Sequence, residues 1–239
     1  MARIAKIVLV AWLIITFLIA VPVLITLARD SVTDGPLART ATPRVLLGSG
    51  RSSVQLDFVP DASTCPAIPL SIFLLIDKSG SMNDGNAFPQ AREAATAFIN
   101  SVDLTQSSVA VAFFDESPTL VQPATQDRAA LLAAVDSVTI PDGGTNIAGA
   151  LQLASDNLGT EKPVIILLTD GSVPDYAGTM AVADAVKARG AHLVTVAVGS
   201  FADVINLGTL ASSSNSALAS EDPAALRAIY TELAEQLSA

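Results

Sequence analysis

Three different patterns of apolar and polar positions follow one another along the chain. Ile7 to Leu27 is an unbroken apolar run of 21 residues without a charge, about 31 Å long as a helix, which matches a bilayer core. Residues 30–69 keep no period; Pro36, Pro43, Pro60, Pro66 and Pro69 with Gly48-Ser49-Gly50 mark a stalk or linker. Inside it, Val54-Gln55-Leu56-Asp57-Phe58 alternates apolar and polar and predicts a strand added to a sheet edge. From residue 70 onward, short apolar runs alternate with stretches of helical period. The expected organisation is an anchor over 1–29, a stalk over 30–69 and a globular domain over 70–239.

Within that domain, Ile72-Phe73-Leu74-Leu75-Ile76 predicts a strand buried on both faces, ending at Asp77. Phe88, Ala91, Ala95, Phe98 and Val102 recur at helical steps. Val109–Phe114 predicts a second buried strand ending at Asp115. Thr119-Leu120-Val121, between Pro118 and Pro123, predicts a short edge strand. A helix over 127–138 precedes the loop Pro141-Asp142-Gly143-Gly144-Thr145, and Ile147, Leu151, Ala154 and Leu158 share one face of the next helix. Val164–Leu168 predicts a third buried strand, followed by Thr169-Asp170-Gly171, a helix over 177–189 and a strand over His192–Val198. Ser212–Ser216 reads as loop or short strand, and Leu226, Tyr230, Leu233 and Leu237 mark a closing helix. This alternation predicts an α/β fold, a doubly wound, mostly parallel central sheet with helices on both faces, preceded by one transmembrane helix.

Composition sharpens the picture. The 239 residues are 51% hydrophobic and 15% charged, enough for a sizeable core. Residues 1–51 carry six basic and two acidic side chains, whereas residues 52–239 carry seven basic and 21 acidic ones. A domain that acidic is unsuited to nucleic acid, whose affinity rests on neutralising phosphates. Cys65 is the single cysteine, so an internal disulfide and the cysteine-rich zinc sites are excluded. It reads as a bystander in the linker, with a bridge to a partner chain as the alternative.

The apolar run is longer than the ~7–15 residues of a signal-peptide core, which favours an uncleaved anchor over cleavage at Thr26-Leu27-Ala28. Basic residues flank the run on both sides (Arg3 and Lys6, then Arg29, Arg39 and Arg44), so charge alone does not set its orientation. A six-residue tail ahead of it and a large domain behind favour a single-pass protein of the cell membrane with its domain outside the cytoplasm.

The candidate chemistry gathers at strand ends. Asp77, Ser79 and Ser81 offer a carboxylate and two hydroxyls within five residues, at the carboxyl end of a buried strand where open α/β sheets bind ligands. Asp170 ends another strand, and Thr145 lies in a glycine loop just ahead of a helix. All five are oxygen donors, which suits a hard cation such as Mg²⁺, with Mn²⁺ and Ca²⁺ as alternatives. Turn formation alone is the plainer account of Asp77, Ser79 and Ser81. Asp115 reads as a solvated turn residue or a supporting partner and is left out of the site.

Asp77-Lys78-Ser79-Gly80-Ser81-Met82, Thr145 in Gly143-Gly144-Thr145-Asn146, and Asp170 in Leu168-Thr169-Asp170-Gly171 together resemble the von Willebrand factor A domain with its metal-ion-dependent adhesion site (MIDAS). The resemblance covers about residues 69–237. It implies direct metal contact by Ser79, Ser81 and Thr145, with Asp77 and Asp170 acting mainly through bound water. It also implies that an acidic side chain of a protein partner completes the metal shell. The expected protein is a membrane-anchored, divalent-metal-dependent binding module for adhesion or complex assembly, not an enzyme.

Other readings fare less well. Met82 and Phe88 stand where an EF-hand needs its glycine and its bidentate glutamate. No glycine-rich phosphate loop is present, so no nucleotide is expected. His192 is the one histidine and reads as structural, which leaves Ser79 and Cys65 without the base a catalytic triad needs. Two alternatives remain: a metal-dependent hydrolase using Asp77, and a cytoplasm-facing adaptor for an ATPase partner.

Overall fold

Strong β formers without interruption put the buried strands at the centre of the molecule, and the amphipathic segments between them cover both faces. The computed structural model describes residues 44–45, 56, 69–138, 141–159 and 161–238. The predicted membrane span, Cys65 and all of the predicted Val54–Phe58 strand except Leu56 lie outside these residues. Among the described residues, no helix is long and apolar enough to cross a membrane.

The strands are β1 (Arg44–Val45), β2 (Leu70–Asp77), β3 (Ser107–Phe114), β4 (Thr119–Thr125), β5 (Lys162–Thr169), β6 (His192–Val198) and β7 (Ala217–Ser220). The helices are α1 (Ala87–Ser101), α2 (Arg128–Ser137), α3 (Ile147–Asp156), α4 (Tyr176–Ala188), α5 (Val204–Leu210) and α6 (Leu226–Leu237). Among the described residues, one seven-stranded sheet runs in the order β1-β7-β6-β5-β2-β3-β4. Every pairing is parallel except β3 with β4.

Alternation along β2 splits the core in two. Ile72, Leu74 and Ile76 pack with α1, α2 and α6, while Phe73 and Leu75 face α3, α4 and α5. The chain leaves β2 towards β3 on one side and returns to β5 on the other. The switch in strand order therefore falls between β2 and β5, which opens a crevice at their carboxyl ends.

One expectation needs correction. The edge strand does not stop at Val121; β4 continues through Pro123 to Thr125, with register irregularities against β3. An edge strand bonds on one side only, so a proline that faces away from its neighbour costs no ladder bond. Of the two readings of Ser212–Ser216, loop holds: Ser214–Ser216 forms a 3-10 turn, and the strand is the following, fully buried Ala217–Ser220. Helix α5 has no counterpart in the sequence reading, because seven residues give too little period to see. The segment read as a stalk also reaches the domain. Arg44–Val45 pairs with β7, and buried Leu56 donates its N–H to Gln236 Oε1 at 2.8 Å.

Tyr230 on α6 is fully buried, edge-to-face with Phe98 at a centroid distance of 6.2 Å. Among the described residues its hydroxyl has no hydrogen-bond partner, and burial pushes its pKa far up. Removing a buried orphan hydroxyl while keeping the ring relieves a desolvation cost. Tyr230→Phe is therefore expected to raise stability by roughly 1 kcal/mol, read from the urea midpoint of the unfolding curve.

Candidate metal site

The loop after β2 is built on Asp77. The register that sets Ile76 opposite Leu168 brings Asp77 beside Thr169 at the end of β5. Both Asp77 carboxylate oxygens are engaged there. Oδ1 accepts the Ser79 N–H at 2.7 Å, and Oδ2 accepts the Thr169 hydroxyl. Asp77 is wholly buried, and burial raises its pKa to about 6 even though the hydrogen bonds from Thr169 and Ser79 pull the other way.

From this anchor the chain turns Ser79 and Ser81 to one side. Their hydroxyl oxygens lie 3.1 Å apart, and the Ser81 hydroxyl donates to Asp170 Oδ1 at 2.8 Å. Those two residues are 89 positions apart in sequence. Asp170 is half-buried; burial raises its pKa, with nearby Asp84 adding to the effect. Thr145 borders the same spot: a Cβ added to Gly171 would meet Thr145 Oγ1 at 3.4 Å.

The threonine loop is tied down from two directions. Gly80 N–H donates to Gly143 O at 3.0 Å, and Asp142 N–H donates to Lys78 O at 2.8 Å. Asn83 Nδ2 reaches Gly80 O at 3.1 Å and Pro141 O at 3.3 Å. On the other flank, Asn146 N–H donates to Asp115 O at 2.8 Å and Asn146 Nδ2 to Glu116 O at 3.1 Å. Gly143 takes a positive φ of 80°, which lets the loop turn here without strain.

The structure thus gathers all five sequence-predicted residues at the switch point. Asp77, Ser79, Ser81 and Asp170 form one hydrogen-bonded chain, and Thr145 flanks its end. Asp115 is more than a solvated turn. Lys78 Nζ forms an ion pair with its Oδ2, while Oδ1 accepts the Ser117 N–H at 2.8 Å. Partial burial pushes the Asp115 carboxyl up, but the Lys78 and Ser117 contacts outweigh it and hold the pKa below the ordinary value. Sequence reasoning missed Thr169, Lys78, Asn83 and Asn146 as supporting residues, since none carries a pattern that separates it from an ordinary loop or strand-end residue. His192 Nε2 lies 2.7 Å from Ser216 Oγ.

The donor set fits a small divalent cation. Two oxygens bound side by side on an octahedral Mg²⁺ at ~2.1 Å stand ~3.0 Å apart. The Ser79–Ser81 separation of 3.1 Å is close to that value. A Ser81 hydroxyl whose proton goes to Asp170 keeps its lone pairs for a ligand.

Comparison with known proteins bears on this arrangement. Residues 72–172 match the family model for the von Willebrand factor type A domain. Calcium-activated chloride channel regulator 1 of Macaca mulatta is 31% identical over 137 residues, which is 54% of this chain. The chain spans 14% of the length of that relative. Among solved structures, proximal thread matrix protein 1 from the mussel byssus, in a form with a zinc-occupied MIDAS motif, superposes with a TM-score of 0.63. The two are 21% identical, over 70% of this chain and 45% of that one. The vWF domain of the type V pili tip protein Mfa5 from Porphyromonas gingivalis gives 0.63 at 16% identity, over 70% of this chain and 94% of that one. The fold is the α/β fold of von Willebrand factor A domains.

Proposed function

We propose that this chain is a von Willebrand factor A-type binding module that captures a carboxylate of a protein partner through a divalent cation, Mg²⁺ first among them, and performs no reaction. Ser79, Ser81 and Thr145 would hold the ion directly, with Asp77 and Asp170 behind them. The observation that carries this reading is the hydroxyl–hydroxyl–carboxylate chain from Ser79 through Ser81 to Asp170, which joins two loops at the strand-order switch. Supporting it are the match over residues 72–172 and the fold neighbour whose MIDAS holds zinc.

The chain's residues divide the work. Asp77 spends both oxygens on Ser79 and Thr169 and so fixes the loop. Ser79, Ser81 and Thr145 present neutral oxygens, which leave a bound cation short of negative charge. A divalent ion held there supplies the positive field that draws in an external carboxylate. Residues 7–27 would anchor the module in the cell membrane as a single span, with the domain outside the cytoplasm. A hydrolase would need further acids or a second metal beside Asp77.

Calorimetric titration of the full chain with Mg²⁺ is expected to show one saturable site that Ser81→Ala weakens by about tenfold or more. Capture of proteins from a membrane extract should be lost in EDTA and restored by Mg²⁺. No Mg²⁺ binding, or capture indifferent to both EDTA and Ser81→Ala, would sink the reading.

A further inference from the structure

Aspartate is followed by glycine at four places in the chain, Asp34, Asp84, Asp142 and Asp170. Asp34 lies outside the described residues; the other three stand in loops at the carboxyl end of the sheet. An Asp-Gly pair rearranges without an enzyme when its geometry allows. The glycine backbone nitrogen attacks the carboxyl carbon of the aspartic acid. A C–N bond forms, the C–OH bond breaks, and the amide proton leaves with that hydroxyl as water. Water then opens the resulting succinimide ring at either carbonyl. One opening restores aspartate; the other leaves isoaspartate, whose main chain runs through the former side-chain carboxyl. Glycine has no Cβ to hinder the approach, so the rate depends on how often the nitrogen lies against the carboxyl group.

The three pairs differ in that respect. At Asp142 the nucleophile is already in place, because the Gly143 N–H donates to Asp142 Oδ1 at 2.8 Å. Among the described residues this is the one hydrogen bond of the Asp142 side chain. Both residues are exposed, and even a Cβ added to Gly143 would meet nothing nearer than 3.5 Å, so the ring has room to close. At Asp170 both reacting groups are engaged elsewhere. Its Oδ1 holds the Ser81 hydroxyl at 2.8 Å, and the Gly171 N–H donates to Thr169 Oγ1 at 3.0 Å. Asp84 is exposed, but its carboxylate makes no hydrogen bond to the Gly85 N–H among the described residues. Its own carbonyl is held in a turn by the Ala87 N–H.

We propose that Asp142-Gly143 is a site of spontaneous backbone rearrangement to isoaspartate, and that this modification disables the metal site by displacing Thr145. The pair sits between two fixed points on the loop after β2. Asp142 N–H donates to Lys78 O at 2.8 Å, and Gly143 O accepts from Gly80 N–H at 3.0 Å. Isoaspartate inserts one extra carbon into the main chain between those points, so the loop cannot keep both bonds in their present geometry. Thr145 follows two residues later and moves with it. The rearrangement stands on the local geometry alone; its effect on cation binding rests on the metal-site reading above.

The test holds the full chain at physiological temperature and neutral pH for weeks in EDTA and maps its peptides by chromatography and mass spectrometry. Succinimide peptides are lighter by one water, and isoaspartyl peptides separate from aspartyl ones by retention. Modification at Asp142 is expected to exceed that at Asp84 or Asp170 in the same sample by about tenfold or more. Asp142→Glu, which would have to close a larger and slower-forming ring, should show none at that position. Calorimetry with Mg²⁺ should then find the aged parent short of binding sites in proportion to its isoaspartate, while Asp142→Glu aged alongside keeps all of its sites. Asp142 left unmodified, or modified no faster than Asp84 and Asp170, would overturn the assignment. Full Mg²⁺ binding by chains converted at Asp142 would overturn the claim that the change disables the site. If the fresh parent binds no Mg²⁺, the metal-site reading and that second claim fail, and the peptide map alone decides the first.

Discussion

Asp170→Ala is expected to lower Mg²⁺ affinity on the order of 100-fold, with almost no loss of stability. Asp170 Oδ1 takes the Ser81 proton at 2.8 Å, which both orients that hydroxyl and leaves its lone pairs for a ligand. Removing the carboxylate frees Ser81 to rotate and deletes half of the negative charge contributed by Asp77 and Asp170. The fold does not depend on the residue. Asp170 follows the last residue of β5, it is only half-buried, and burial already raises its pKa. Calorimetry with Mg²⁺ beside a thermal melt in EDTA checks both halves. A variant that binds Mg²⁺ as the parent does would remove Asp170 from the site.

Asp77 predicts the opposite balance, a residue that weakens the metal-free domain. Burial raises its pKa from 3.8 to about 6 in the folded chain, while the unfolded chain keeps the ordinary value. As pH rises through that window the unfolded state loses its proton first, so unfolding becomes easier. The stability this group contributes is fully present below about pH 4 and lost by about pH 6 to 7, at most ~3 kcal/mol. Asp115 works the other way, since its lowered pKa adds stability that is lost only on acidification below the ordinary carboxylate range. Urea unfolding of the chain in EDTA across pH 4 to 7 should therefore show stability falling as pH rises. Asp77→Asn should flatten the curve and raise stability at pH 7 by ~1–3 kcal/mol, because an amide can still accept from Ser79 N–H and pair with Thr169 without carrying charge. The same variant should lose the rise in melting temperature that Mg²⁺ gives the parent. A metal-free chain that gains stability with pH across this window would contradict the assignment of Asp77 as the buried, strained carboxylate.

Much of the fold is legible because its elements repeat a strong pattern. The three buried runs ending at Asp77, Asp115 and Asp170 appear as β2, β3 and β5, and the stripe of Leu226, Tyr230, Leu233 and Leu237 as α6. The reading loses its grip where an element is short. Helix α5 spans seven residues and β7 four, fewer than two turns of one and two repeats of the other. It also loses its grip where partners are distant. Nothing near Arg44 or Leu56 says that one meets β7 and the other meets α6, since those contacts are made by packing. The five candidate residues could be marked by oxygen chemistry and by position at strand ends or, for Thr145, in a glycine loop, whereas Thr169, Lys78 and Asn146 could not. Their roles come from what lies opposite them.

The sequence by itself determined the parallel α/β scaffold, the carboxyl ends where ligands gather, and the five oxygen-bearing residues, because hydrophobic period and residue type are local properties of a chain. Only the tertiary structure decided that Ser81 meets Asp170 across 89 positions and that Thr169 holds Asp77. Those facts follow from strand register and the crossing between β2 and β5, which depend on how the whole core packs and not on any neighbourhood within it.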